Sequence, residues 1–369
     1  MAQTYRFVLP LTLLILSLAG CQTEPSTYDV IRDGLNARFR SSYVDSQPYE
    51  IYYATNRAAN GNSQACKNSV YGVKLGKEVT FGSCKVQVPI NRPVGSLSSG
   101  SDPNSDSQIN FQIAQQDDFD EKGFAKALAA APGDEILIFV HGFNVRFEEA
   151  VYRAAQLGFD GKYQGQLVLF SWPAGAADRL LQGPYLLQTY KENKANAAAS
   201  IQAFQRILVT AARSKKRLHV VVHSMGHQVV LPALFQLAQT LPNRTIQELV
   251  LNAPDFAVND FKAILPAIRS LAARTTVYCS PSDNALAVSK RVNGNARLGS
   301  CALFDGVDTI DVSEVDTPVL GVGGLGHGYY AGRPIIGDVT QLLLGMDAPR
   351  RMFMKKTVPA VRSNYFLRP

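Results

Sequence analysis

Between Glu135 and Val312 the sequence alternates short, continuous apolar runs with longer stretches whose apolar residues recur at helical spacing. The runs are Glu135 to Val140, Gln166 to Trp172, Arg217 to Val222, Glu248 to Leu251, Thr275 to Cys279 and Val307 to Val312. They lack the polar alternation of a half-solvated strand, so they read as strands buried on both faces. Helices are predicted for Phe147 to Leu157, Ala195 to Ala212, Gly226 to Gln239, Phe261 to Leu271 and Ile335 to Leu344. Strand-helix alternation with right-handed crossovers gives a mostly parallel, doubly wound α/β sheet covered on both faces. Ligands in such sheets bind beyond the C-terminal strand ends, and the loops after the runs are therefore where chemistry is sought.

Upstream, Tyr49 to Tyr53 and Val79 to Ile90 are rich in β-branched and aromatic residues and predict an antiparallel N-terminal portion. Pro93 to Gln108 reads as an exposed polar loop. With 46% hydrophobic and 18% charged residues, the chain can bury a large core in one domain, taken as residues 49–346. The net charge of +7 is scattered, with no basic stripe interleaved with aromatics, which argues against nucleic acid. One local excess, in residues 347–369, comprises Arg350, Arg351, Lys355, Lys356, Arg362 and Arg368. It predicts a solvated basic tail, with anionic lipid headgroups as the alternative contact.

At the N-terminus Arg6 precedes an apolar stretch, Phe7 to Ala19, that is short for a membrane span. Leu18-Ala19-Gly20-Cys21 resembles the lipobox of bacterial lipoproteins, which implies removal of residues 1–20 and acylation of Cys21. Residues 21–48 then form a polar tether. Gln22, where an aspartate resembles an inner-membrane retention signal, points to the outer membrane, facing the periplasm. Cys66, Cys84, Cys279 and Cys301 remain, an even number in a compartment that permits oxidation. Three connectivities are open; short loops favour Cys66 with Cys84 and Cys279 with Cys301. No C-x-x-C pair or H-E-x-x-H helix suggests a metal, and no cofactor is called for.

The run Arg217 to Val222 enters His223-Ser224-Met225-Gly226 and then a helical pattern, the strand-turn-helix context of a nucleophile elbow. Ser224 is the candidate nucleophile. Gly226 meets the demand for a small residue two places on, whereas Val222 stands where Gly-x-Ser-x-Gly has glycine and needs room from its neighbours. A serine needs an imidazole to take its proton and a carboxylate to orient that imidazole. Of the five histidines only His327 lies beyond the elbow helix, so it is the candidate base. Asp283, four residues past Cys279, is the favoured acid, and Asp255 the second candidate, which could instead cap a helix. His141-Gly142-Phe143-Asn144 follows a strand, and the backbone N–H groups of Phe143 and Met225 are the candidate oxyanion donors. His141 reads as structural, His219 as packing, and His227 as support for the elbow; Trp172 suits pocket or core equally. Gly321-Val322-Gly323-Gly324-Leu325-Gly326 formally matches a dinucleotide fingerprint, but no βαβ unit can be completed after it. These glycines better serve a loop carrying His327.

Several motifs in order extend the pattern: Tyr53-Ala54-Thr55-Asn56-Arg57, Val140-His141-Gly142-Phe143-Asn144, Phe147-Glu148-Glu149-Ala150, Ser171-Trp172-Pro173, His223-Ser224-Met225-Gly226, Ala253-Pro254-Asp255 and Ser282-Asp283-Asn284-Ala285-Leu286. Over roughly Tyr49 to Leu344 the chain resembles the uncharacterised bacterial α/β-hydrolases often labelled esterase/lipase-like. The resemblance implies the α/β-hydrolase fold, a Ser-Asp-His triad and hydrolysis of a small-molecule or lipid ester. Val222 departs from the family's usual small residue. For Arg57 the expectation is an ion pair clamping the N-terminal strand. A competing reading keeps the scaffold but not the chemistry: a catalytically silent envelope lipoprotein serving binding or assembly.

Overall fold

A computed structural model of the chain describes residues 48–60, 66–89, 92–97, 111–176, 184–315 and 327–368. The lipobox with Cys21, the tether, most of the loop after Pro93 and the glycine run 321–326 lie outside the described residues.

The long, non-alternating runs form the strands at the centre of one eleven-stranded sheet. In chain order the elements are β1 (Tyr49–Ala59), β2 (Tyr71–Gln87), β3 (Gln112–Phe119), α1 (Glu121–Ala130), β4 (Glu135–Val140), α2 (Phe147–Asp160), β5 (Gln166–Ser171), α3 (Pro184–Ala199), α4 (Ile201–Arg213), β6 (Arg217–His223), α5 (His227–Leu237), β7 (Ile246–Asn252), α6 (Val258–Leu271), β8 (Ala272–Cys279), α7 (Asn284–Asn293), β9 (Asp308–Asp311), α8 (Arg333–Leu343), β10 (Met354–Lys356) and β11 (Tyr365–Leu367). The strand order is β10-β11-β9-β8-β7-β6-β4-β5-β1-β2-β3. Every pairing from β11·β9 to β5·β1 is parallel, and only β1·β2, β2·β3 and β10·β11 are antiparallel. β1 therefore belongs to both portions: antiparallel to β2 on one side and parallel to β5 on the other.

Side chains alternate between the two faces, as the two-residue strand period requires. Ile136, Ile138 and Val140 join Phe124, Phe204, Val230 and Phe261 in one core, under α1, α4, α5 and α6. Leu137 and Phe139 join Phe147, Val151, Ile335 and Leu342 in the other, under α2 and α8. Cys66 pairs with Cys84 and Cys279 with Cys301. The chain leaves β4 toward β5 on one side and returns to place β6 on the other. This reversal opens a crevice at the C-terminal ends of β4 and β6, where an open α/β sheet binds its ligand.

Two expectations need correction. The helix predicted over Ala195 to Ala212 is two helices, α3 and α4, broken at Ser200. The Ser200 hydroxyl donates to the Asn196 carbonyl (2.7 Å) and accepts from Asn56 Nδ2 (2.9 Å), and such side-chain bonds compete with the helical ladder. Of the six basic C-terminal residues, five are solvated as expected but Arg351 is not, and their segment joins the fold: β11 pairs with β9 and extends the sheet, with β10 outside it. Arg351 is buried; its Nη1 donates to Asp338 Oδ2 (3.0 Å) and to the Tyr278 hydroxyl (3.3 Å). Arg350, Lys355, Lys356 and Arg362 remain exposed, and Arg368 faces Glu314 at 3.3 Å. Periodicity cannot reveal strands of three residues each, nor the acid that a buried arginine will meet.

Asp338→Ala leaves a buried guanidinium without its carboxylate and is expected to lower stability by about 3–5 kcal/mol. Glu314→Ala, at a solvated pair, should cost under about 1 kcal/mol. Urea unfolding of both variants checks this; equal, small effects would restore the picture of a loose tail.

Candidate active site

β6 delivers Ser224 at the crevice with φ +52°, a left-handed conformation that a serine adopts only under constraint. The constraint is steric. A Cβ at Gly142 would lie 2.7 Å from Ser224 Cβ and 2.8 Å from His223 Nδ1, and one at Gly226 would lie 2.6 Å from the His141 carbonyl. These two glycines let the end of β4 press against the turn after β6. Val222 needs no glycine: it is fully buried, paired in register with Val140 and Leu251, and its side chain fills the core beneath the turn.

The structure brings together three residues remote in sequence. The Ser224 hydroxyl donates to His327 Nε2 at 2.6 Å, and His327 Nδ1–H donates to Asp283 Oδ2 at 2.6 Å. An ionised carboxylate can only accept, which assigns the imidazole tautomer. Asp283, buried, is held from a second side: it is the N-cap of α7, and its Oδ1 accepts from Leu286 N–H at 3.0 Å. The Cys279–Cys301 disulfide joins the end of β8, four residues before Asp283, to the segment ahead of β9.

Asp255, the second candidate acid, is engaged elsewhere. Its Oδ1 accepts from Arg297 Nε (2.7 Å) and the Ser289 hydroxyl, and its Oδ2 from the Tyr190 hydroxyl (2.9 Å). That network ties α3 and α7 to the loop after β7. It leaves the ring of His327 to Asp283.

The loop after β4 is fixed from behind by the N-terminal motif, and not by the expected ion pair. Buried Arg57 donates to the carbonyls of Gly72 (2.9 Å), Ala174 (2.8 Å) and Val145 (2.8 Å), and its Nε to the Ser171 hydroxyl (2.9 Å). Burial lowers its pKa to about 9, so the guanidinium is still charged at neutral pH. His141 lies beside it, its Nδ1–H donating to the Gly142 carbonyl (3.0 Å) and its Nε2 facing Ser171 (3.2 Å). Trp172 is core, stacked on His141 and donating from Nε1 to the His141 carbonyl at 2.9 Å. Phe143 follows in the loop and lines the cavity; Met225 directly follows Ser224, its side chain buried in the core.

Sequence reasoning missed His223 and Tyr330. His223 Nε2–H donates to the His327 carbonyl at 3.1 Å, and its ring stacks on Tyr330 at 3.8 Å. Together they brace the segment that carries His327. Adjacency of His223 to Ser224 was the available signal; nothing in the sequence ties Tyr330 to it. Below the turn, His227 Nδ1–H donates to the Ser224 carbonyl at 2.6 Å.

Ser224 and His327 open into a cavity of about 810 Å³, within the range for a small-molecule site. Its lining includes Leu97, Phe143, Leu186, Tyr190 and Val288. Among the described residues no group of three His, Cys, Asp or Glu is arranged to hold a metal ion.

A parallel sheet with a left-handed serine at its reversal point, facing a histidine and an aspartate, defines an alpha/beta hydrolase. Residues 116–346, more than half the chain, match the family described as alpha/beta hydrolase of unknown function (DUF900), and the chain belongs to that family. No curated protein and no solved structure matches. β1, β2 and Arg57 lie ahead of the matched span.

Three buried histidines predict acid sensitivity. Burial lowers His141 and His227 from 6.5 to about 3, with Arg57 adding to the effect at His141; burial and then His327 hold His223 well below 6.5. The unfolded chain takes up protons near pH 6.5 that the folded one refuses, so stability is full above that pH and falls as pH drops toward about 3. His141 and His227 should each cost about 2 kcal/mol by pH 5. Denaturation at pH 7 and pH 5 is expected to show this loss, reduced by one share in His227→Asn; an identical loss in that variant would refute the assignment.

Proposed function

We propose that this protein is a serine hydrolase acting on carboxylic esters. The reading rests on the two 2.6 Å hydrogen bonds that run from the Ser224 hydroxyl through His327 to Asp283. In this mechanism His327 Nε2 takes the hydroxyl proton as Ser224 Oγ attacks the carbonyl carbon, and Asp283 stabilises the imidazolium without itself being protonated. The tetrahedral oxyanion accepts from the backbone N–H groups of Phe143 and Met225, each worth about 100- to 1,000-fold in rate. The imidazolium then returns its proton to the departing alkoxide, leaving an acyl-serine. Water, deprotonated by His327, attacks that acyl group and frees Ser224.

Esters are favoured over extended peptides on topology. Peptides commonly bind by pairing with an exposed strand, and the outer strands β3 and β10 are both remote from β6 in the sheet order. We further place the enzyme in the cell envelope, anchored through an acylated Cys21; the lipobox and the two disulfides support an exported chain.

A fluorophosphonate should label the purified protein and fail on Ser224→Ala. Asp283→Asn should reduce ester turnover on the order of 10⁴-fold by removing the acceptor that fixes the imidazole, whereas Asp255→Asn should act through α3–α7 packing and raise KM more than it lowers kcat. Labelling that survives Ser224→Ala would remove Ser224 as the nucleophile, and an ester panel with no Ser224-dependent turnover would favour the silent scaffold. Palmitate incorporation in cells should vanish in Cys21→Ser; persistence would remove Cys21 as the acylated residue.

A further inference from the structure

The cavity over Ser224 has two unlike walls. One, built from α2, residues 93–97 and the segment Tyr329 to Pro334, carries Glu149, Arg153 and Arg333. The Arg153 guanidinium lies over the Tyr330 ring at 5.7 Å and donates to the Gly95 carbonyl at 3.1 Å. The other, built from α3 and α7, presents Leu186, Leu187, Leu286, Val288 and Val292. Tyr190 and Ser289 also line the cavity on this side, but their hydroxyls are already engaged by Asp255. Val288 and Val292 are one helical turn apart and share a face of α7.

Leu187, Val288 and Val292 are also 44%, 40% and 40% exposed, so the apolar wall continues past the cavity to its rim. Three aliphatic side chains make a patch too small for a stable protein interface, which takes about 800 Å² per partner. They are suited to a flexible hydrocarbon entering from outside. The first wall also carries Val94 and Leu97, but methylenes laid along it would strip water from the Arg153 and Glu149 side chains without replacing its hydrogen bonds, a cost the α3–α7 wall does not impose.

Resting on the reading of Ser224 as the nucleophile, we infer that the α3–α7 wall holds the aliphatic acyl chain of the substrate, from Ser224 out to the rim at Leu187, Val288 and Val292. The substrates are then esters of medium- to long-chain fatty acids, and these three residues set the chain-length preference.

The test is a series of p-nitrophenyl esters from acetate to dodecanoate. In the wild-type protein kcat/KM is expected to rise by up to about fourfold per methylene and to level off once the chain passes the rim. In Val288→Asn/Val292→Asn the ratio of decanoate to acetate ester kcat/KM should fall at least tenfold, with circular dichroism confirming the fold. In parallel, Ser224→Ala protein is titrated calorimetrically with decanoate, whose binding should weaken at least tenfold when both valines are also replaced. Ser224-dependent turnover that is indifferent to chain length, or a ratio unmoved by the double substitution, overturns the inference while the hydrolase reading stands. If no ester is turned over, the hydrolase reading fails, and the decanoate titration alone decides whether the cleft takes an acyl chain.

Discussion

The site depends on the contact of two chain reversals, the one after β4 and the one after β6. Gly142 and Gly226 allow it, since a methyl group at either would collide with backbone or with Ser224 itself. The left-handed serine that results costs on the order of 1–3 kcal/mol, which is small beside the burial of Val140, Val222 and Leu251 directly below. Strain can persist there because the strands underneath have no freedom to relax it. Raising the hydroxyl above the sheet edge is a consequence of packing the strands, not a separate device.

Two aspartates emerge from neighbouring strand ends and are put to opposite uses. Asp255, saturated by Arg297, Ser289 and Tyr190, is a structural anion that joins helices. Asp283 has one oxygen occupied by the N–H of Leu286 and the other by His327, and no arginine hydrogen-bonds to it among the described residues. A guanidinium on Asp283 would weaken its hold on an imidazolium. Keeping the arginine on the adjacent acid preserves that hold.

Much of this arrangement was legible because it follows from periodicity and order along the chain. The central strands announced themselves as apolar runs, and the order Ser, acid, His along the chain located Ser224, Asp283 and His327 as residues ending separate strands or following them. What was not legible depends on partners brought from afar. Arg57 reads as one half of an ion pair clamping the N-terminal strand, and only the folded chain reveals the carbonyls of Gly72, Val145 and Ala174 converging on it. Arg351 was hidden among basic neighbours for the same reason, and at the break the Ser200 hydroxyl meets Asn56, 144 residues away. His223 was passed over because its role lies in a backbone carbonyl, which sequence patterns do not display.

Arg57 also bears on where this hydrolase unit begins. It lies on β1, ahead of the segment shared with the family, yet its guanidinium gathers carbonyls from the chain after β4, after β5 and at the start of β2. A fragment trimmed to the shared segment would carry Ser224, Asp283 and His327 and lack the cation that collects those carbonyls. One buried positive charge, outside the segment by which the family is recognised, thus serves as the mortar between the leading strand of this molecule and its working edge.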